Sequence, residues 1–400
     1  MAKVVAKARP AATPPAPAAT HAAPPAPAAG PLSATFREGM RQVAASLVER
    51  DEEVRLMFTA VVAREHVLLV GPPGTAKSLL CGLLSSFLSG ARLWQRQFTK
   101  FTEPGEVLGP VDIQALKAGR QTRLYAGMLP SAEIAFLDEV FKANSAILNS
   151  LLLILNERQC DIGAGERIDC PLMFCMGASN EWPEEAKELG ALFDRFIFRK
   201  SVRPIRTAAG LKRLVNDPSI GAAPSVSVTA ADVDEAHAEA MALPYSPAAE
   251  EAFFRIVAAL RKKGICPGDR RVKKAWAAGK ASAWLAGASA VEPAHLACLS
   301  HVLWEEPGEQ PAKAFDVVCG LADPVAADVA AALREASEAI DAMERGDDSS
   351  MRACSAKLVS IGQAKLAGRA GEQAEQARAW LKAEIMAIRA AVVESTGGVF

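Results

Sequence analysis

Residues 71 to 78 read Gly-Pro-Pro-Gly-Thr-Ala-Lys-Ser and follow the apolar run Val67-Leu-Leu-Val70. A buried strand, a tight turn and a Lys-Ser pair opening a helix make a cradle for nucleotide phosphates. The turn aims backbone N–H groups at anionic oxygens, and the helix N-terminus adds a partial positive charge. In this reading Gly71, Pro72, Pro73, Gly74, Thr75 and Ala76 wrap the phosphates. Lys77 reaches the β- and γ-phosphates, and the Ser78 hydroxyl ligates Mg²⁺. The usual spacing is GxxxxGK[ST], so Ala76 stands where the last glycine is expected. Alanine suits that position if the loop is already turning into a right-handed helix. Downstream, Ile134-Ala-Phe-Leu-Asp-Glu139 is an apolar strand closing on two carboxylates. Phosphoryl transfer to water needs an acid that orients the metal and a base that positions the water. Asp138 fits the first role, as a metal ligand beside Ser78, and Glu139 fits the second. A third apolar strand, Met173 to Ala178, ends in Ser179-Asn180-Glu181. The Asn180 amide is either a turn residue or a sensor that orients the water or touches the γ-phosphate. Open α/β sheets bind ligands beyond the carboxyl ends of their strands, where these three segments converge.

Those residues resemble the AAA+ ATPases and, within them, the MoxR family, most closely its RavA branch. The resemblance runs over about residues 33 to 300. Besides the phosphate loop it rests on Val48-Glu-Arg-Asp-Glu-Glu-Val54, Phe101-Thr-Glu-Pro-Gly-Glu-Val-Leu-Gly-Pro-Val-Asp-Ile-Gln-Ala-Leu116, Phe136-Leu-Asp-Glu-Val-Phe-Lys-Ala-Asn-Ser-Ala-Ile-Leu-Asn149, Leu155-Asn-Glu-Arg158, Ala178-Ser-Asn-Glu181 and Asp269-Arg-Arg-Val-Lys-Lys-Ala275. The alanine at 76 looks like that branch's own variant of the loop. The resemblance implies a ring, usually a homo-hexamer, in which each ATP site is completed by the next protomer. It implies that Arg195, in Asp194-Arg-Phe196, reaches across the subunit boundary to the neighbour's γ-phosphate; a local ion pair with Asp194 or Glu188 is the alternative. It also makes Arg270, with Arg271 as the other candidate, the residue that touches the γ-phosphate from a helical lid.

The elements that must hold these groups form an α/β AAA+ core, a five-stranded parallel sheet with helices on both faces, plus an α-helical lid and a C-terminal helical arm. Strands are predicted near 66–70, 96–101, 134–138, 173–178 and 196–199, with helices 77–90 and 143–155 and a hairpin over 157–171. Four parts follow. Residues 1–32 are mostly Ala and Pro with no acid, a leader that cannot bury enough apolar surface to order itself. Residues 33–205 are the nucleotide-binding core. Residues 206–305 read as five lid helices, 207–215, 230–242, 247–263, 270–286 and 293–303. Residues 306–400 show helical spacing over Val325–Met343, Met351–Leu366 and Ala374–Val393, an arm with little β signal.

Composition narrows the function classes. The net charge is −1, so no global field draws the chain to nucleic acid or anionic lipid. No apolar run approaches a membrane span. Eight cysteines lack any CxxC pairing and the five histidines lack ligand spacing, so reduced thiols and cytoplasmic residence are the default. The expected activity is hydrolysis of ATP to ADP and phosphate with Mg²⁺. By resemblance, it drives chaperone-like remodelling or maturation of a protein target, beside a von Willebrand factor A domain partner. A nucleic-acid motor and a non-hydrolysing nucleotide-gated scaffold are the alternatives. The basic stretches Arg261-Lys-Lys263 and Arg270–Lys274 are short for the first. No expected catalytic side chain is missing, which disfavours the second.

Overall fold

The computed structural model describes residues 30–163, 165–182, 186–344, 347–369 and 372–395. Five strands, β1 (Val67–Val70), β2 (Leu93–Gln97), β3 (Ile134–Asp138), β6 (Phe174–Ser179) and β7 (Phe198–Ser201), form one parallel sheet in the order β2-β3-β6-β1-β7. A hairpin of β4 (Gln159–Gly163) and β5 (Glu166–Asp169) lies between β3 and β6 in the chain and pairs only with itself. Every residue of β1 and of β6 is buried, as strands covered on both faces must be. β2, with Gln95, Arg96 and Gln97, occupies an edge, where polar side chains reach water.

The predicted sheet is present with two displaced strands: β7 lies at 198–201 where 196–199 was expected, and β2 departs further. The segment 96–101 was expected to be extended, but β2 ends at Gln97. Thr102 Oγ1 accepts from the Thr99 N–H at 2.9 Å, and the Thr102 N–H donates back to the Thr99 carbonyl at 3.1 Å. This side-chain-closed turn leads the chain out of the sheet, and Phe101 emerges 90% exposed. Helix Ser145–Glu157 begins two residues later than predicted, because the Asn144 side chain caps the Ile147 N–H.

Helix Asp51–Ala63 is buried along most of its length, packed by helices Pro31–Ala45, Ala230–Ala242 and Asp269–Ala286. The helical module follows the predicted spans closely, except that its last element, Pro293–His301, is a 3₁₀ helix. Helix Gln310–Ala322, grouped with the arm in the sequence reading, packs on Pro293–His301 and shares the main hydrophobic core through Ala314, Val317, Val318 and Ala322. Helices Pro324–Asp341, Asp348–Ile361 and Glu372–Ser395 bury a separate core that includes Leu358, Leu366 and Leu381. The leader lies outside the described residues except for 30–32, and the first helix starts at Pro31. Among the described residues no helix is long and apolar enough to cross a membrane.

Candidate nucleotide site

Loop 71–76 leaves the carboxyl end of β1 and enters helix Lys77–Phe87. Gly71 is obligatory, since a Cβ there would sit 2.1 Å from the Val202 carbonyl oxygen. Ala76 departs from expectation. It is not yet right-handed helix but left-handed, at φ 65° and ψ 22°. The loop needs the conformation that glycine adopts freely, and alanine holds it at a cost of about 1 kcal/mol. Among the described residues, the backbone N–H groups of Gly74 to Ser78 donate to no acceptor, as expected of a helix start awaiting an anion.

The Lys77 ammonium donates to the Gly71 and Pro72 carbonyls and, at 3.2 Å, to Asn180 Oδ1. Asn180 turns its amide nitrogen to Glu139 Oε1. The strand order explains this contact. β6 lies between β1 and β3, so the residue following it stands between the loop and the acidic pair. Glu139 is 3% exposed and left-handed at φ 53°, with Lys142 Nζ 3.4 Å from Oε1. Asp138 accepts the Glu139 N–H at 3.0 Å. Burial raises the Asp138 carboxyl above its ordinary value, with Glu139 adding to the rise, while that N–H and Lys77 oppose it. Burial lowers the Lys77 ammonium, against the pull of Asp138 and Glu139. Asp138 at the end of β3 and the exposed Ser78 hydroxyl in the first turn of helix Lys77–Phe87 are oxygen donors of the kind Mg²⁺ takes, one or two from protein with phosphates and water completing its shell.

Arg50, given no role from the sequence, straps the loop down. It is 5% exposed and donates to the Thr75 carbonyl at 3.2 Å and the Arg203 carbonyl at 2.7 Å. Its place inside the Val48–Val54 stretch was the available signal.

The arginines lie elsewhere. β1 and β7 are parallel, with Val67 opposite Phe198, so His66 and Arg195 both precede their strands at the amino edge of the sheet. Lys274, on the helix that begins at Asp269, pairs with Glu65 at 2.6 Å at that same edge. Arg270 donates to Asn156, near Arg158, whose Nη1 lies 2.7 Å from His66 Nε2. Four residues of β1, roughly 13 Å at about 3.3 Å each, separate this edge from the phosphate loop. The structure thus brings Lys77, Asp138, Glu139 and Asn180 together at one edge and groups Arg195 with Arg270 at the other. Arg195 Nη1 lies 3.4 Å from Asp194, and its buried Nε has no partner among the described residues. Its guanidinium is depressed by burial and then by the charge of Arg270. Arg271 is 2% exposed and pairs with Asp194 at 2.7 Å.

Comparison with known proteins agrees with this architecture. A family model described as the MoxR domain in the MoxR-vWA-beta-propeller ternary systems matches residues 34–229, and an AAA lid domain model matches 251–314. An uncharacterized protein of Methanocaldococcus jannaschii is 42% identical over 264 residues, covering 66% of this chain and 69% of that protein. The chaperone MoxR1 of Mycobacterium tuberculosis is 28% identical over 175 residues, 42% of this chain and 44% of that one. A crystal structure of a candidate ATPase from Cytophaga hutchinsonii shares the fold, with a TM-score of 0.55 at 18% identity, covering 68% of this chain and 88% of its own.

Proposed function

Because this chain belongs to the MoxR family of AAA+ ATPases, we propose that it hydrolyses ATP to ADP and phosphate at the seams of a ring and uses the motion to remodel or mature a protein target. The observation that carries the reading is the continuous contact Lys77–Asn180–Glu139 beneath a loop of unengaged N–H groups. The γ-phosphate draws Lys77 off the Gly71 and Pro72 carbonyls. Asn180 then orients the attacking water, and Glu139 accepts its proton. Mg²⁺ held by Ser78 and Asp138 would neutralise charge on the β- and γ-phosphates.

The separation of the two edges supports a site shared between subunits. Arg195 and Arg270 cannot serve the loop of their own chain across the length of β1 without a large rearrangement. They fit a neighbour's γ-phosphate, and a homo-hexamer is the ring we infer. This assigns Arg270 to the same direction as Arg195. The RavA branch rests on the resemblance alone, in which the alanine at 76 looks like that branch's variant of the loop. The description of the matching family model supports a von Willebrand factor A partner and, beside it, a β-propeller protein. The division into leader, core, lid and arm, and cytoplasmic residence, belong to the same proposal.

The test is phosphate release from the full chain with ATP and Mg²⁺, together with particle mass in each nucleotide condition. Arg195→Ala should bind ATP yet lose turnover, by about 10³-fold or more if it is a finger. Mixing it with Lys77→Ala should restore part of the rate. A particle that stays single and never cleaves ATP sinks the proposal.

A further inference from the structure

We propose that Arg271 is the positioning residue of the trans arginine: it fixes Asp194, and through Asp194 it aims Arg195 at the neighbour's phosphate. The inference rests on the ring reading above. It separates the two adjacent arginines by role, Arg270 facing out and Arg271 working from inside.

Arg271 cannot itself be the phosphate contact. Its side chain is 1% exposed and both terminal nitrogens are engaged within its own chain, only the buried Nε lacking a partner among the described residues. Nη1 donates to the Val302 carbonyl at 3.0 Å and the Ile197 carbonyl at 3.3 Å, and Nη2 donates to Asp194 Oδ1 at 2.7 Å. The acceptors come from two places, the turn that carries Arg195 and the chain just after helix Pro293–His301. Arg271 itself sits in the first turn of helix Asp269–Ala286. Three segments therefore meet on one planar fork, whose geometry an ammonium could not reproduce.

What they hold is the turn between helix Ala186–Phe193 and β7. Arg195 sits in that turn with no regular backbone ladder of its own. Asp194 divides its carboxylate, Oδ1 to Arg271 and Oδ2 to Arg195 at 3.4 Å. A second buried arginine supports the same turn: Arg199 donates to the Phe193 and Phe196 carbonyls at 2.8 and 2.9 Å and to Trp304 at 2.8 Å. The finger segment is thus tied twice to the chain at 302–304, and Arg271 ties it to the lid helix through Asp194, whose carboxylate also touches Arg195. Any rotation of the lid helix moves Asp194 and so Arg195. In a ring this couples the lid of one subunit to the catalytic site of the next.

A merely structural ion pair would behave differently on mixing. Arg271→Ala subunits keep an intact loop, Asp138, Glu139 and Asn180, so their own sites lack only a well-placed finger on the neighbour. The expected result is a tenfold to about hundredfold fall in kcat, the usual cost of a small misplacement, with KM for ATP within about twofold. Mixing with Lys77→Ala subunits, whose Arg195 is correctly held, should return activity in the proportion seen for Arg195→Ala. Arg271→Lys, whose ammonium can keep the Asp194 pair but not also the Val302 and Ile197 carbonyls, should recover part of the rate. If Arg271→Ala does not fold, Asp194→Asn is measured in the same way and decides. Wild-type turnover in these variants overturns the inference. So does a loss that mixing does not relieve while Arg195→Ala is relieved. Absence of turnover in the wild type, or failure of mixing for Arg195→Ala itself, removes the ring reading instead.

Discussion

Asn180 Oδ1 accepts from Lys77 Nζ at 3.2 Å while the same amide donates to Glu139. One side chain therefore touches both the cation proposed to bind phosphate and the carboxylate proposed as the base. On the proposed function, a phosphate that attracts Lys77 also changes what Asn180 offers to Glu139, which would join binding and readiness for hydrolysis at a single residue.

Lys77→Ala removes the ammonium at the centre of this contact. Nucleotide binding should be lost, since a desolvated cation on the β- and γ-phosphates contributes well over 1 kcal/mol. Calorimetry that returns an undiminished ATP affinity would remove the phosphate-loop assignment.

Glu139→Gln is nearly isosteric but cannot take a proton from water. ATP should still bind, and turnover should drop by about 10²–10⁴. The same variant with ATP is the best bait for partners, because the proposed ring, arrested before hydrolysis, would keep hold of them. Turnover at the wild-type rate would move the base elsewhere.

Ala76→Gly tests the left-handed loop. In a helix or extended segment the change costs up to about 1 kcal/mol through chain entropy. At φ 65° the relief of strain offsets that loss. The thermal midpoint should stay level or rise. A drop of several degrees would mean that residue 76 is not left-handed.

His66 predicts a pH dependence of stability. It is 2% exposed, its Nδ1 accepts the Cys175 N–H at 3.1 Å, and Nε2 lies 3.1 Å from the Leu155 carbonyl. Burial first, and then the Arg158 charge, lower its pKa well below 6.5. The folded chain keeps the ring neutral where the unfolded chain protonates it. Its contribution is complete above about pH 6.5 and is lost as pH falls toward the folded pKa, by at most ~1.4 kcal/mol per pH unit. Thermal midpoints from pH 7.5 to 5 should fall more steeply for the wild type than for His66→Gln. Parallel curves would contradict this.

The core sheet was legible because β1, β3 and β6 are short apolar runs closed by glycine, acid or amide, and such runs have few other uses than buried strands. The end of β2 was not, since the Thr99–Thr102 turn is a pairing of side chain with backbone that hydrophobic pattern does not register. Helix Gln310–Ala322 was placed with the arm because its spacing is the same whichever core it enters.

By itself the sequence determined the loop, the acidic pair, the amide and their places at strand ends, all of which are local in the chain. Only the tertiary structure decided that β6 lies between β1 and β3, so that Asn180 touches both Lys77 and Glu139. It also decided that Arg270 and Arg195 share the edge away from the loop, with Arg271 buried behind them. Strand order and helix packing are settled by which distant apolar faces cover one another, and no window of neighbouring residues carries that information.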